Sequence, residues 1–542
     1  MKKNTLFLLF LPLLLFCSAF FPNNVYAAGV SIDITNFPNA AFRTYVKNNF
    51  DTNSNDILDD DEAQSVTVLP VGFTYSVTSD DYGKVSITQS NSSFTEAISN
   101  FTGIEHFVNL EAFSCQNNAL SFDLDLSQNV ALKALFCNNT KIKSLDLMNN
   151  SELLYLDCSN NQITGILDLG ENKKLLYLDC ANNQITDIFF FEPLPSASKD
   201  TTPLAYIKCD HNQLKNIDLM LVEQTLLWLK CNDNRIKGLD GKFFASDAPN
   251  LIWFECDNNQ IISLDLDMNR NLRYMKCNNN KLFELDLILS QPLETVICDN
   301  NRIRDLYLPR RSTTLVHVSC SSNDIELLDI APACLQYLDF SKNKVESAHF
   351  LTSGTSLKEV NCSDNKLETI DLSKLTLLEI FYCDNNSLVD ISFKNNPLLK
   401  TFSGSSQKVY GQRVFNNNDK NYPYAFDLRD VMSSKSDLSR VTDIAVLSAD
   451  NSAIKYQLED AQTLILADKP ASIKYKYYFT GQLKNSYLDV TLFFSEAPSG
   501  NNYGAGNGSS IGGSGGGCNS GFVSGITALS LLIVLKKKNK RF

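Results

Sequence analysis

Fifteen cysteines and only four histidines (His106, His211, His317 and His349) are the groups in this 542-residue chain suited to metal, redox or nucleophilic chemistry. Zinc and iron–sulfur centres take clustered thiolates, commonly as C-x-x-C pairs, and the chain has none. The histidines are scattered, and neither a Walker loop nor an H-E-x-x-H string occurs. The chain is read as a non-enzyme. Its oxygen ligands are better placed. The segment Asp51-Thr52-Asn53-Ser54-Asn55-Asp56-Ile57-Leu58-Asp59-Asp60-Asp61-Glu62 puts side-chain oxygens of Asp51, Asn53, Asn55, Asp59 and Glu62 at loop positions 1, 3, 5, 9 and 12. The Ile57 carbonyl serves position 7. Hard oxygens at that spacing suit a structural Ca2+ ion. Asp56 stands where glycine is usual, and aspartate tolerates a left-handed turn better than most residues. A merely acidic, solvated turn is the alternative.

The cysteines need a different explanation. Twelve of them, at 115, 137, 158, 180, 209, 231, 256, 277, 298, 320, 362 and 383, recur at steps of mostly 21 or 22 residues. Phe340 fills the one missing mark, giving 13 rungs. Five residues before each mark stands Leu, from Leu110 to Leu378, and two before it an apolar residue. Three after it stands Asn in every rung but one, where Thr140 replaces it, and five after it Leu, Ile or Val. The pattern L-x-x-L-x-C-x-x-N-x-L resembles the leucine-rich repeat with Cys at the third apolar position. Residues −2 and 0 lie two apart on a strand and both face inward. The Asn column satisfies backbone groups in a tight turn. A second half, often Leu-Asp-Leu as at 145–147, 264–266 and 285–287, predicts short strands on the back. Stacked cysteines have parallel Cβ vectors about 4.8 Å apart, beyond the roughly 3.8 Å of a disulfide. Reduced, buried thiols are expected.

The resemblance implies a mainly β fold: a leucine-rich-repeat solenoid, a small helical EF-hand-like cap before it and an Ig-like β-sandwich after it. Asn39–Phe50 is amphipathic, and a second helix starts at Glu62–Val66, flanking the oxygen-rich loop. Helix, loop and helix resemble the calcium-binding caps that precede leucine-rich repeats in some bacterial surface proteins. Alternation in Phe73–Val77 and Val85–Thr88 predicts an inserted hairpin, and Ile98–Leu110 echoes a first rung. After Thr401 the repeat stops, and about seven short apolar runs between Val409 and Phe494 predict the sandwich.

Position −3 alternates with the buried −2 and is expected to face outward. Successive rungs there read Tyr155, Tyr177, Tyr206, Trp228, Trp253 and Tyr274, including both tryptophans of the chain. Lys208, Lys230 and Glu255 lie beside them at −1. Aromatic stripes with polar flanks serve protein hot spots and sugar-stacking platforms alike. Equally, stacked aromatics stabilise a sheet through cross-strand pairs.

The ends carry addresses. Lys2, Lys3, an apolar run to Phe21 and Val25-Tyr26-Ala27 make a secretory signal peptide cut after Ala27. A Gly/Ser linker, Cys518, the apolar run Phe522–Leu535 and a basic end resemble the tripartite sorting tails of bacterial surface proteins, most nearly the Synerg-CTERM-like class, which implies membrane attachment with Cys518 as the processing or lipidation point. The expected divisions are 1–27, 28–109, 110–400, 401–497, 498–517 and 518–542. With a net charge of −13, nucleic acid is a poor partner. The plan resembles internalin-like adhesion proteins. It implies a secreted protein, tethered to the bacterial cell surface or outer envelope, that binds a protein on a host or neighbouring cell. A glycan ligand and a purely structural envelope role are the alternatives.

Overall fold

A three-residue run with one inward apolar side chain is too short to stand alone and is stable only when stacked on copies of itself. The computed structural model shows that stacking. It describes residues 29–494 apart from 80–84, 91–93, 95, 191–202, 220–224, 238–241, 245–247, 311, 331–332, 354–355, 418, 433–437, 460–462, 480–482 and 484. The signal peptide with Ala27, and the tail with Cys518, lie outside the described residues. So do most of the long inserts after rungs 4 and 6. No helix among the described residues is long and apolar enough to cross a membrane.

Residues −3 to −1 of all 13 rungs form parallel strands of one 15-stranded sheet, called here the front sheet. Register is strict: −3 pairs with −3, as Tyr206 with Trp228 and Trp228 with Trp253. The two additional strands were not in the expected count. Val68–Leu69 joins at the N-terminal end and Thr401–Ser403 at the other. The repeat therefore runs one rung beyond the expected boundary. There Leu399 takes the −5 place, Gly404 the cysteine place and the buried Gln407 the asparagine place. A Cβ on Gly404 would meet Phe402 and Leu488 at under 3 Å, so cysteine does not fit where the next domain closes down.

The turn after each strand reverses through a left-handed residue at +2. From Asn117 to Ser406 all 14 rungs have positive φ there, between 52° and 63°. Eleven of the 14 are Asn or Asp, or the histidine His211, the types that tolerate this region best. Behind the turn, the +3 asparagine stitches rungs together. Asn234 donates from Nδ2 to the carbonyls of Cys209 at 3.0 Å and Cys231 at 3.3 Å, and accepts the Leu214 N–H at 3.0 Å. Gln407 makes the same set with Cys383 and Leu388.

A second polar ladder runs at −8, unnoticed in the sequence. Asn150 donates to Leu126 and Asn129 carbonyls, and Asn172 to those of Leu147 and Asn150, at 2.9–3.1 Å. Among the described residues, back strands form in three pairs: Thr164–Asp168 with Gln184–Phe189, Lys242–Phe244 with Ser263–Asp265, and Glu284–Asp286 with Asp305–Tyr307. The other Leu-Asp-Leu segments, such as 145–147, turn instead, with Asp146 accepting the N–H of Met148.

All 12 column cysteines are free and buried. Burial pushes their thiols well above the ordinary range, so they are packing groups rather than nucleophiles. Several donate along the column, as Cys231 Sγ to the Glu255 carbonyl at 3.4 Å. Cys334 is off the column and donates to the Leu315 carbonyl at 3.2 Å.

At the N-terminal end, helix α1 (Ala40–Phe50) is capped by Asn39, and helix α2 (Asp60–Ser65) by a capping box of Asp59 and Glu62. Phe37, Phe42, Phe94 and Phe101, and Phe50 with Phe107, close the core with edge-to-face contacts. The hairpin Tyr75–Ser79 with Val85–Gln89 is an insertion between Val68–Leu69 and the rung's back half near Ile98. At the other end two four-stranded sheets follow. One holds Gln407–Val409, Val441–Leu447, Ser472–Tyr478 and Tyr487–Phe493; the other holds Phe415–Asn416, Tyr424–Asp427, Tyr456–Leu458 and Thr463–Leu466. The expected strand Val409–Phe415 is split between them. Phe393, Phe402 and Phe479 lock this domain to the last rungs with centroids 4.8–5.1 Å apart.

Candidate functional site

The −3 side chains point away from the core of the solenoid, but pointing outward did not leave them all exposed. Tyr206 and Trp228 are only 5% and 2% accessible, and Tyr155 8%. This corrects the expectation of an open stripe. Rings wider than the rung spacing lie face to face and cover one another. Tyr177, Tyr206, Trp228, Trp253 and Tyr274 form one continuous stack, with centroids 3.7–5.4 Å apart and planes within 19°. Tyr177, Trp253 and Tyr274 stay half-buried. Tyr155 belongs elsewhere. It packs under Tyr75 of the inserted hairpin at 5.6 Å, in a small separate core with Phe73, Ala112, Ala134 and Phe136. The hairpin thus covers the first rungs of the front sheet.

Beside the stack, every lysine has an acid from a neighbouring rung. Lys208 meets Asp179 at 2.8 Å, Lys230 meets Glu255 at 2.9 Å, and Lys276 meets Asp257 at 2.8 Å. Glu255 is the hub: it also accepts Trp253 Nε1 at 2.6 Å and Asn232 Nδ2 at 3.0 Å. Burial alone would raise its pKa, but these donors hold it below the ordinary value. Lys230 sits over the Trp228 ring at 5.5 Å, a cation–π distance. Asp157 has no such lysine; burial and neighbouring Asp179 push its carboxyl up to about 6. Position +1, where Asp210, Asn232 and Asp257 are expected beside the aromatic row, forms a further hydrogen-bonded column. Asp210, Asn232, Asp257, Asn278 and Asp299 each accept the next rung's N–H at 2.7–2.8 Å. Its alternation of Asp and Asn was the readable signal.

Farther along, position −3 continues as Thr295, His317, Tyr337 and Glu359. His317 and Tyr337 stack at 4.2 Å and 4°. Of the other histidines, His211 holds a left-handed turn and His106 packs on Phe37 at 5.7 Å.

The oxygen-rich loop runs between the two helices of the cap. Asp56 is left-handed at φ 61°, and Asp51 accepts the N–H groups of Asn55 and Asp56. Ile57–Leu58 pairs with Val30–Ser31. The side chains are bonded to one another, however. Asn53 Nδ2 donates to Asp59 at 2.7 Å and Asn55 Nδ2 to the same oxygen at 3.2 Å. Glu62 accepts Thr52 N–H at 2.7 Å and Asp59 N–H at 3.1 Å. Among the described residues no three Asp, Glu, His or Cys side chains converge as a metal-ligand group.

A family model for leucine-rich repeats, in two copies, matches residues 151–196. No curated protein matches the chain. Among solved structures, the chain is similar to a functional domain of InlJ from Listeria monocytogenes, described as including a cysteine ladder. The TM-score is 0.59 and the identity 21%, covering 86% of this chain and 99% of that one. An internalin, InlF, of the same species gives a TM-score of 0.46 at 17% identity, covering 70% and 98%. The first likeness, with the repeat match, defines the class of fold: a leucine-rich-repeat solenoid.

Proposed function

We propose that this is a secreted, surface-tethered adhesion protein that captures a protein ligand on the half-buried edge of the aromatic stack. The observation that carries it is the partial exposure of Tyr177, Trp253 and Tyr274 at the rim of a stacked platform whose neighbouring lysines are ion-paired. Rigid aromatic anchors ringed by satisfied polar groups are what protein hot spots use. A protein is favoured over a glycan because the rings turn their faces to one another, and sugar stacking needs a free face. Proteins with this fold generally work through protein contacts, which supports the reading. The signal peptide and the Cys518 tail support export and attachment.

Trp253→Ala with Tyr274→Ala should abolish capture of cell-surface protein by the full chain while the melting profile keeps its shape. Capture that survives both would overturn the ladder. Trp228→Ala is a poor test, because that ring is buried.

Calcium in the Asp51–Glu62 loop belongs to the same proposal, as a structural ion for the cap. Asp51, Asn53, Asn55, Asp59 and Glu62 would hold it with the Ile57 carbonyl, exchanging their mutual hydrogen bonds for metal contacts. Chelation should then lower the melting temperature of the wild-type chain and leave Glu62→Gln unmoved. An equal response in both chains would remove the ion from the account.

A further inference from the structure

The second half of the front sheet carries acid without any cation of its own. At −3, −1 and +1, rungs 9 to 13 present Asp299, Asp339, Glu359 and Asp384, and no lysine or arginine. Their partners are neutral. Asp299 accepts Ser319 Oγ at 2.8 Å and the Ser321 N–H at 2.7 Å. Asp339 accepts the Ser341 N–H at 2.8 Å and Asn361 Nδ2 at 3.1 Å. Asp384 is met by the hydroxyls of Ser403 and Ser405, both at 2.8 Å. The cations flanking these positions are Lys342 at +2 of rung 11, Lys358 at −4 of rung 12 and Lys400; Lys400 is paired with Glu379 at 2.7 Å, and Lys358 acts on the same carboxyl.

Between these acids lies the flat His317–Tyr337 pair. Asp299 and Asp339 act electrostatically on both rings, and Asp339 with burial raises the carboxyl of Glu359 above its ordinary value. The groups therefore face one another across adjacent strands. Residues 317, 337, 339 and 359 are all half-buried, so the surface is firm and still reachable. Carboxylates left without counter-ions, next to a planar ring pair, complement a guanidinium or ammonium group, which stacks and donates at once.

We propose that this acidic half-face is a second contact area, and that its occupant is an arginine- or lysine-bearing segment of a protein partner. The inference rests on the front sheet being the binding surface, but not on the aromatic stack.

The test uses the exported full chain and an arginine-rich dodecapeptide, with its lysine and citrulline versions as probes. The arginine peptide should bind with steep salt dependence and the citrulline peptide at least tenfold more weakly. Asp299→Asn, Asp339→Asn and Glu359→Gln together should lose that tenfold and keep or raise the melting temperature. A triple change on the back, Asp267→Asn, Glu284→Gln and Asp286→Asn, removes equal charge and should leave binding intact. Carbodiimide cross-links from the lysine peptide should map to Asp299, Asp339 or Glu359. Equal losses in both triples, cross-links confined to other acids, or no preference over citrulline would each overturn the proposal. Should Trp253→Ala with Tyr274→Ala abolish protein capture while the front triple leaves capture and peptide binding unchanged, this inference fails and the ladder stands.

Discussion

The two halves of the front sheet have the same backbone and opposite electrostatics. In rungs 4 to 8, three lysines pair with acids of neighbouring strands beside five stacked rings. In rungs 9 to 13 the hydrogen-bond partners of the acids are serines and an asparagine instead of lysines. A strand repeat therefore fixes where side chains stand but not whether they satisfy one another. The first half is built to be rigid, the second to leave charge unanswered.

Mutations should separate the halves, and the largest effect falls in the first. Trp228→Ala removes a ring that is 2% accessible and stacked on both sides, and should destabilise by about 3–5 kcal/mol in denaturant titration. Tyr337→Ala, in the half-buried pair, should lose clearly less; equal losses would erase the contrast. Next is Glu255→Gln, which strands Lys230 in a site where the acid side chain is only 9% exposed. A loss of about 2–3 kcal/mol at pH 7 is expected. The Glu255 pKa is lowered on folding, so its contribution is full above the unfolded value and fades as pH falls through the folded one. The wild-type advantage should shrink in acid.

Asp157→Asn should have the reverse sign. Its folded pKa, about 6, exceeds the unfolded value of 3.8, so the native chain holds the extra proton between those limits. Wild-type stability then falls as pH rises through that window. The variant should be more stable by about 1 kcal/mol at pH 7 and equal to wild type below pH about 4. Smallest is Glu359→Gln, with the same direction and a gain within about 0.5 kcal/mol. One change, Glu to Gln, is thus expected to weaken the first half and to leave or strengthen the second. Like signs at Glu255 and Glu359 would break the comparison.

Much of this was legible in the chain. The rungs, the Asn column and the free cysteine column follow from spacing alone, because a parallel stack repeats one geometry per turn. The +2 turn residue and the −8 asparagine were equally periodic, but their types vary, from Asn117 to His211 and from Asn150 to Ser290. Thirteen rungs became longer at both ends because Val68–Leu69 and Thr401–Ser403 carry no cysteine. Their membership depends on hydrogen bonds to a neighbour. The exposure of the aromatic row could not be read from alternation. Period 2 gives a side chain's direction, whereas its accessibility depends on what stands beside it.

Sequence by itself determined the solenoid, its register and which residues share a column, since each of these is a local pattern repeated. Only the tertiary structure decided that a hairpin roofs Tyr155, that Trp228 is covered by its own neighbours, and that Glu255 gathers Lys230, Trp253 and Asn232. Apart from Trp253 with Glu255, those contacts join residues about 20 to 80 positions apart, and no spacing rule reports which of two adjacent rungs will supply the partner.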